Sequence, residues 1–370
     1  MTTIRLLADD LTGALDTMAE FASAAGPLHA YWHDGVPSTL PPNAAVDTGT
    51  READVDEARC RVASLASMLA AGDIAFKKVD SLMRGHTLAE LQAVEGFERC
   101  VFAPAFPGQG RITRGGFQHF QAEGAWRPVG PDLVQSLNAR SGVPGEPLGP
   151  GITVFDAETD SVLDAVVAGA RHQRVLWCGT AGLAGALARS LDPGQRGAEA
   201  GAEAACSPLL PGPIVGLFGS DQPATFAQLR ACTPHWLHLP EAAPHDLTDR
   251  LAQGLLTRGL ALVSIDLQPW LTRDEAALRI GHALHRIAAD LPRPGTLLVA
   301  GGETLCGLCV ALGATCLELQ GRILPGLPRA VLRGGAWDGV TVVSKSGAFG
   351  PPSLLRDLLA HNGFFPERTT

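Results

Sequence analysis

Residues 6–16 read LLADDLTGALD: an apolar run ends at Ala8, Asp9 and Asp10 follow, and Thr12 and Gly13 open a helical pattern. A β-type run that passes through acids and a glycine straight into a helix is how a parallel α/β sheet turns at its carboxyl edge. The same rhythm recurs along the chain. The spacing predicts strands at Ile4–Ala8, Ala30–His33, Ala44–Asp47, Ile74–Val79, Cys100–Pro104, Ile152–Phe155 and Arg174–Cys178, and helices near 12–24, 52–71, 86–98, 159–170 and 181–191. It restarts with strands at 214–219, 236–239, 260–266, 296–300, 316–319 and 340–344, and helices at 223–232, 245–258, 272–290, 303–313 and 352–361. Residues 192–213, rich in Gly, Ala and Pro, carry neither period and read as a linker. The expected fold is therefore two α/β domains with mostly parallel sheets, residues 1–195 and 210–370, with a ligand cleft between them.

Composition narrows the function. Of 370 residues, 46% are hydrophobic and 18% charged, which excludes disorder and supports sizeable cores. The net charge of −9 argues against a broad nucleic-acid or anionic-membrane surface, while a local positive pocket for a small anion stays open. No apolar run reaches the ~18 residues of a membrane span. Acids arrive by Asp9, so the N-terminus does not read as a signal peptide. The eight cysteines are scattered through apolar segments, which suggests reduced thiols and a cytoplasmic location. Cys306 and Cys309 form a C-x-x-C inside a predicted helix with no second pair, so a core face is favoured over zinc, and no metal site is expected. GxSxG, HExxH and the P-loop pattern are absent. Of the 29 basic residues only Lys77, Lys78 and Lys345 are lysines, so each is a candidate for a task that arginine's fork does not fill.

Ligands in open α/β sheets bind beyond the strand carboxyl ends, so the turns carry the chemistry. Asp9 and Asp10 cap the first helix or, beyond that, hold a substrate hydroxyl. VDTGTRE presents Arg51 beside Asp47 at the same edge, as a salt-bridged cap or as an anion ligand. FKKVDSLMRG places Lys77, Lys78, Asp80, Ser81 and Arg84 within eight residues after a strand; alternation puts the two lysines on opposite faces, so one at least is buried or pocket-facing. The reading is a clamp for a hydroxy acid, with a Lys–Asp80 salt bridge as the structural alternative. APAFPGQGRITRGG reads as a rigid irregular loop exposing Arg111 and Arg114, a lid or a solvated turn. In the second half, Gly219-Ser220 and Gly301-Gly302-Glu303-Thr304 end strands at helix starts, where free amides and close backbone approach suit phosphate. Lys345, between two serines and before Gly347, looks like a point charge in a phosphate cradle.

Taken together, ADDLTGALD, DTGTRE, FKKVDSLMRG, PAFPGQGR, GTAGLAGAL, AGGET, LPGLP and VSKSGAFG, in this order from Ala8 to Gly350, resemble the four-carbon acid sugar kinase family, the 3-oxo-tetronate, threonate and erythronate kinases. The resemblance implies an N-terminal domain that binds the sugar acid and a C-terminal domain that binds ATP. It implies substrate positions at Asp10, Arg51, Lys78, Val79, Asp80 and Ser81, and ATP positions at Ser220, Gly301, Gly302, Glu303, Thr304 and Gly347. The chain departs from the family pattern at Leu15, Thr50, Leu82-Met83 and Ala348. The implied reaction is Mg²⁺- and ATP-dependent phosphorylation of a terminal hydroxyl, with Asp10, or Asp80 as alternative, accepting the proton and Lys345 beside the phosphates. A Schiff-base lyase using Lys77 or Lys78 and a catalytically silent binding protein are the other classes, and a homo-oligomer stays open.

Overall fold

The computed structural model of the chain describes residues 2–191, 209–219, 222–240, 247–266 and 270–365. The chain divides into two compact units, Met1–Ala200 and Gly201–Thr370.

Unit one is built on strands β1 (Ile4–Ala8), β2 (Leu28–Trp32), β3 (Ala44–Asp47), β4 (Ile74–Lys78) and β5 (Arg99–Ala103), the antiparallel strands β6 (Arg111–Arg114), β7 (Phe117–Ala122) and β8 (Ala125–Val129), and then β9 (Arg140–Ser141), β10 (Gly151–Val154) and β11 (Leu176–Gly179). Its helices are α1 (Leu11–Ala19), α2 (Val55–Ala66), α3 (Thr87–Gln92), α4 (Leu133–Ser136), α5 (Asp160–Ala170) and α6 (Ala181–Leu191). The main sheet runs β2-β3-β1-β4-β11-β5-β10-β9 with every pair parallel. β1 is IRLLA and every residue is buried, as a strand covered on both faces requires. Its one charge, Arg5, donates to the carbonyls of Pro41 and Leu40.

After β1 the chain moves to β3 and β2 on one side, and β4 lies on the other. The β1/β4 boundary is thus a topological switch point, where the loops leaving neighbouring strands diverge and open a crevice at the carboxyl edge. Asp9-Asp10 leave β1 there, and Val79-Asp80-Ser81 leave β4.

Unit two has strands β12 (Ile214–Phe218), β13 (Trp236–Pro240), β14 (Leu260–Asp266), β15 (Thr296–Ala300), β16 (Cys316–Leu324), β17 (Leu327–Arg333) and β18 (Thr341–Lys345), and helices α7 (Pro223–Arg230), α8 (Leu247–Arg258), α9 (Arg273–Asp290), α10 (Gly302–Ala311) and α11 (Leu354–His361). β13-β14-β12-β15-β18 are parallel, and β17 and β16 continue antiparallel. α9 opens with a reciprocal cap between Thr272 and Glu275. Ile214, Phe218, Leu262, Leu298, Val343 and Leu359 form its core.

The mostly parallel α/β class matches the sequence expectation, and the corrections are local. Residues 104–116, read as irregular, enter the three-stranded sheet β6-β7-β8. Its hairpins turn on Gly115-Gly116 and Glu123-Gly124, all at positive φ, which is the two-residue turn that matches strand twist. The strand expected at 316–319 runs to Leu324 and returns as β17. The helix expected over 86–98 stops at Gln92. Most of the expected linker, residues 192–208, lies outside the described residues. Its last residues dock on unit two, where Leu210 is buried and its amide donates to Asn362 Oδ1 at 2.7 Å.

Candidate functional site

At the β1/β4 edge of unit one, three acids converge on one guanidinium. Arg51 Nε and Nη2 donate to Asp9 Oδ2 and Oδ1 at 2.8 and 2.9 Å. Nη1 lies 2.7 Å from Asp10 Oδ2, and Nη2 lies 3.5 Å from Asp80 Oδ2. The β3–α2 turn that carries Arg51 is stitched to β1: the Thr50 and Arg51 amides both donate to the Asp9 carbonyl. Asp10 is also the N-cap of α1, accepting from the Gly13 amide at 2.9 Å and the Thr12 hydroxyl at 2.6 Å. Gly13 is needed for a close approach, since a Cβ there would sit 2.5 Å from Asp10 Oδ1 and 3.0 Å from Lys78 Nζ. Asp80 shapes its own loop: its Oδ1 accepts the Leu82 amide at 2.8 Å, and Arg84 Nη2 meets its Oδ2 at 2.6 Å. The loop holds Met83 at φ 58, a left-handed conformation rare for a non-glycine residue, of the kind that collects at functional sites.

The charges reinforce one another. Burial drives the Asp9 carboxyl up, but Arg51, with Lys78 and Lys77 behind it, overrides this and holds it below the usual range. Asp80 is likewise pushed up by burial and brought well below that range by Arg84 and Arg51. Burial opposes the charge of Arg51, and Asp10, Asp9 and Asp80 more than restore it. The fork is therefore occupied: in this structure Arg51 is the shared counterion of the acids, and the open anion clamp expected from the sequence is not formed by it.

The two lysines of β4 separate as alternation requires. Lys77 pairs with Glu90 of α3 at 2.6 Å, each side chain 1% exposed, and not with Asp80 as the sequence alternative had it. Burial would lower its pKa, but Glu90 raises it above the ordinary value, so Lys77 is a protonated structural cation and not a Schiff-base nucleophile. Lys78 turns to the site side, beside Gly13, and donates to the Val79 carbonyl at 2.7 Å. The Val79 side chain is core, so only its backbone faces the site. Ser81 is half-buried.

Asp47 closes the group. Its Oδ1 accepts the Gly49 amide at 2.7 Å. Burial pushes its carboxyl up to about 7 against that amide; Asp10 and Asp9 add to the rise and Arg51 opposes it. Its unfolded pKa lies near ~4, so folding takes up a proton between the two values, and stability falls as pH rises through about 7. Asp47→Asn should match the wild-type melting temperature near pH 4 and exceed it increasingly up to pH 8 by calorimetry. A gap that stays constant over this range would contradict the assignment.

In unit two, the carboxyl ends of β12, β15 and β18 align, with Phe218 beside Ala300 and Ala300 beside Lys345. The Gly301 amide donates to the Lys345 carbonyl at 3.0 Å, and α10 starts at the next residue. Gly301 has φ 101 and gives α10 no side-chain cap, and a helix that starts directly at a strand's carboxyl end is a geometry that suits an anion. Glu303 and Thr304 stand on that first turn. Gly347 is buried, and its carbonyl accepts the Thr225 hydroxyl at 2.7 Å. Ser220 lies outside the described residues.

Lys345 differs from the expectation. It is 1% exposed and its ammonium is surrounded by Thr225 Oγ1 at 3.0 Å and the carbonyls of Ser346, Gly347 and Phe349 at 3.0, 3.2 and 3.3 Å. Burial lowers its pKa to about 8. A lysine so enclosed folds the 346–349 loop and does not stand free as a phosphate ligand. Arg114 is exposed as expected and pairs with Glu158 at 2.7 Å, whereas Arg111 is only partly exposed and its Nε is shielded. Glu90 gave no local signal, because its partner is 13 positions away and no pattern links them.

Two domain families match the chain in order. Residues 4–130 match the sugar-binding N-terminal domain, and residues 215–355 match the nucleotide-binding C-terminal domain. The chain is similar to a D-threonate kinase of Bordetella bronchiseptica, 27% identical over 95% of each chain. It is similar to a 3-oxo-tetronate kinase of Methylobacterium radiotolerans, 29% identical over 93% of this chain and 95% of the relative. A solved Haemophilus influenzae protein shares the fold, with a TM-score of 0.68 at 19% identity over 97% of this chain and 100% of that one. With both domains matched in order and relatives aligned over nearly the whole chain, the chain belongs to the four-carbon acid sugar kinase family.

Proposed function

We propose that the chain is an ATP-dependent kinase that phosphorylates the terminal hydroxyl of a four-carbon sugar acid, with residues 1–195 binding the acid and 210–370 the nucleotide. The observation that carries this is the convergence of Asp9, Asp10 and Asp80 on Arg51 at the switch point, in a chain whose second unit ends a parallel strand in an uncapped helix start. Phosphoryl transfer asks for alignment and charge neutralisation rather than covalent catalysis.

Asp10 orients the hydroxyl and takes its proton. Of the three acids its side chain is the least buried, at 13% exposed against 4% for Asp9 and 6% for Asp80. Asp80, pinned by two arginines, is too weak a base and serves the loop. Lys78 and Ser81 flank the acid, and Arg84 neutralises Asp80. The amides at Gly302–Thr304 hold the nucleotide's phosphates, and Lys345 keeps Gly347 in place beside them. Mg²⁺ would be carried by the nucleotide's phosphates, where it neutralises charge, with Glu303 as the acid on that turn.

Gly301→Val should abolish ATP binding in calorimetric titration while sugar-acid binding persists, because φ 101 excludes a β-branched residue. Normal ATP affinity in a folded variant would remove the nucleotide from this turn. The function itself is tested by ADP release across D- and L-threonate, D- and L-erythronate and their 3-oxo acids. ADP formation that depends on one of these is expected; ATP turnover indifferent to all of them would contradict the reading.

A further inference from the structure

We propose that Arg111 binds the carboxylate of the sugar acid, an inference that rests on the kinase reading above. The other cations around the acidic cluster are engaged. Arg51 serves Asp9, Asp10 and Asp80; Arg84 serves Asp80; Lys77 serves Glu90; and Lys78 donates to a backbone carbonyl. Arg111 has no carboxylate within 4 Å among the described residues. Its Nη1 donates to the Gln109 carbonyl, and its Nε is shielded from solvent without a partner. The edge formed by Nε and Nη2 is thus an unused fork, the geometry that takes a carboxylate with two parallel hydrogen bonds.

The strand places this fork at the site. Arg111 and Thr113 share one face of β6, two residues apart. The Thr113 hydroxyl donates to Gln118 Oε1 at 2.9 Å. Gln118, with no exposed surface, donates in turn to the Ser81 carbonyl at 2.9 Å and the Pro104 carbonyl at 3.0 Å. That face of the small sheet therefore lies against the Asp80–Ser81 loop. The charged groups that act on Arg111 are Asp80 and Arg84, and burial lowers its pKa. Asp80 does not repel an incoming carboxylate, since Arg84 and Arg51 already balance it. The turn before Arg111 is closed by hydrogen bonds from the Gln109 and Arg111 amides to the Phe106 carbonyl, so the fork is held in place before substrate arrives.

The test uses the full chain with Arg111→Met and Arg111→Lys, the preferred four-carbon acid, and its neutral amide as a competing ligand. The expected result for Arg111→Met is a roughly 10–100-fold loss of kcat/KM for the acid, an unchanged KM for ATP, and unchanged inhibition by the amide. Arg111→Lys should recover part of the loss. A wild type that prefers acid over amide, with an Arg111→Met that keeps the full preference, overturns the proposal and leaves the kinase reading standing. Equal loss toward acid and amide also overturns it, since that marks a structural role. A wild type that phosphorylates no four-carbon acid and gives no thermal shift with D-threonate or D-erythronate overturns both.

Discussion

Arg51→Met should lower the stability of unit one by about 3–5 kcal/mol, because it leaves buried carboxylates without their shared counterion. The loss should depend on pH in a definite direction. In the wild type Asp9 and Asp80 titrate below the usual range, so their contribution is present above ~4 and lost only as pH falls through their folded values. Without Arg51 the same burial raises them, and the folded variant gains protons and stability as pH falls. The deficit in melting temperature should be largest near pH 8 and shrink toward pH 5. Arg51→Lys should rescue little, since a single ammonium cannot span Asp9 bidentately and reach Asp10 as well. A small deficit, independent of pH, would show that Arg51 is not the counterion the geometry makes it.

Asp10→Asn is the second large effect. The amide oxygen can still accept from the Gly13 amide, so the cap on α1 survives. On the role proposed for Asp10, the variant loses the proton acceptor at the hydroxyl, and kcat should fall by roughly 10²–10⁴-fold. The KM for ATP should stay within about twofold, because the turn proposed for the nucleotide lies in the other unit. Steady-state rates with either substrate varied check this. A variant that keeps kcat within a few-fold would pass the role to Asp80 or to no residue.

Much of this was legible in the sequence because parallel strands announce themselves. IRLLA, IAFKK and TLLVA are short apolar runs ended by acids, cations or glycines, and each forms a strand whose carboxyl end leads into a candidate turn, the first two in unit one and the third in unit two. The turn residues Asp10, Arg51 and Asp80 could be singled out because polar side chains at a sheet edge need a reason. Their mutual arrangement could not, since the Arg51 fork joins segments 41 residues apart and local pattern says nothing about which charge meets which. The same gap hid Glu90, whose pairing makes Lys77 structural while Lys78, its neighbour, faces the site. Lys345 misled in the opposite way: rarity marked it correctly as special, but the acceptors that enclose it are backbone carbonyls, which leave no trace in composition. The β6-β7-β8 sheet was obscured by its glycines, read as loop residues although Gly115-Gly116 and Glu123-Gly124 are hairpin turns. Missing that sheet concealed Gln118 and the orientation of Arg111.

The central claim is transfer of a phosphoryl group to the end of a four-carbon acid, and the identity of the product tests it most directly. Phosphorus NMR of the reaction of ATP, Mg²⁺ and the acid that drives ADP release should show a new phosphomonoester resonance split by two equivalent-type methylene protons, with ADP formed in equal amount. Inorganic phosphate as the sole new phosphorus species, or an ester coupled to a single methine proton, would contradict the account.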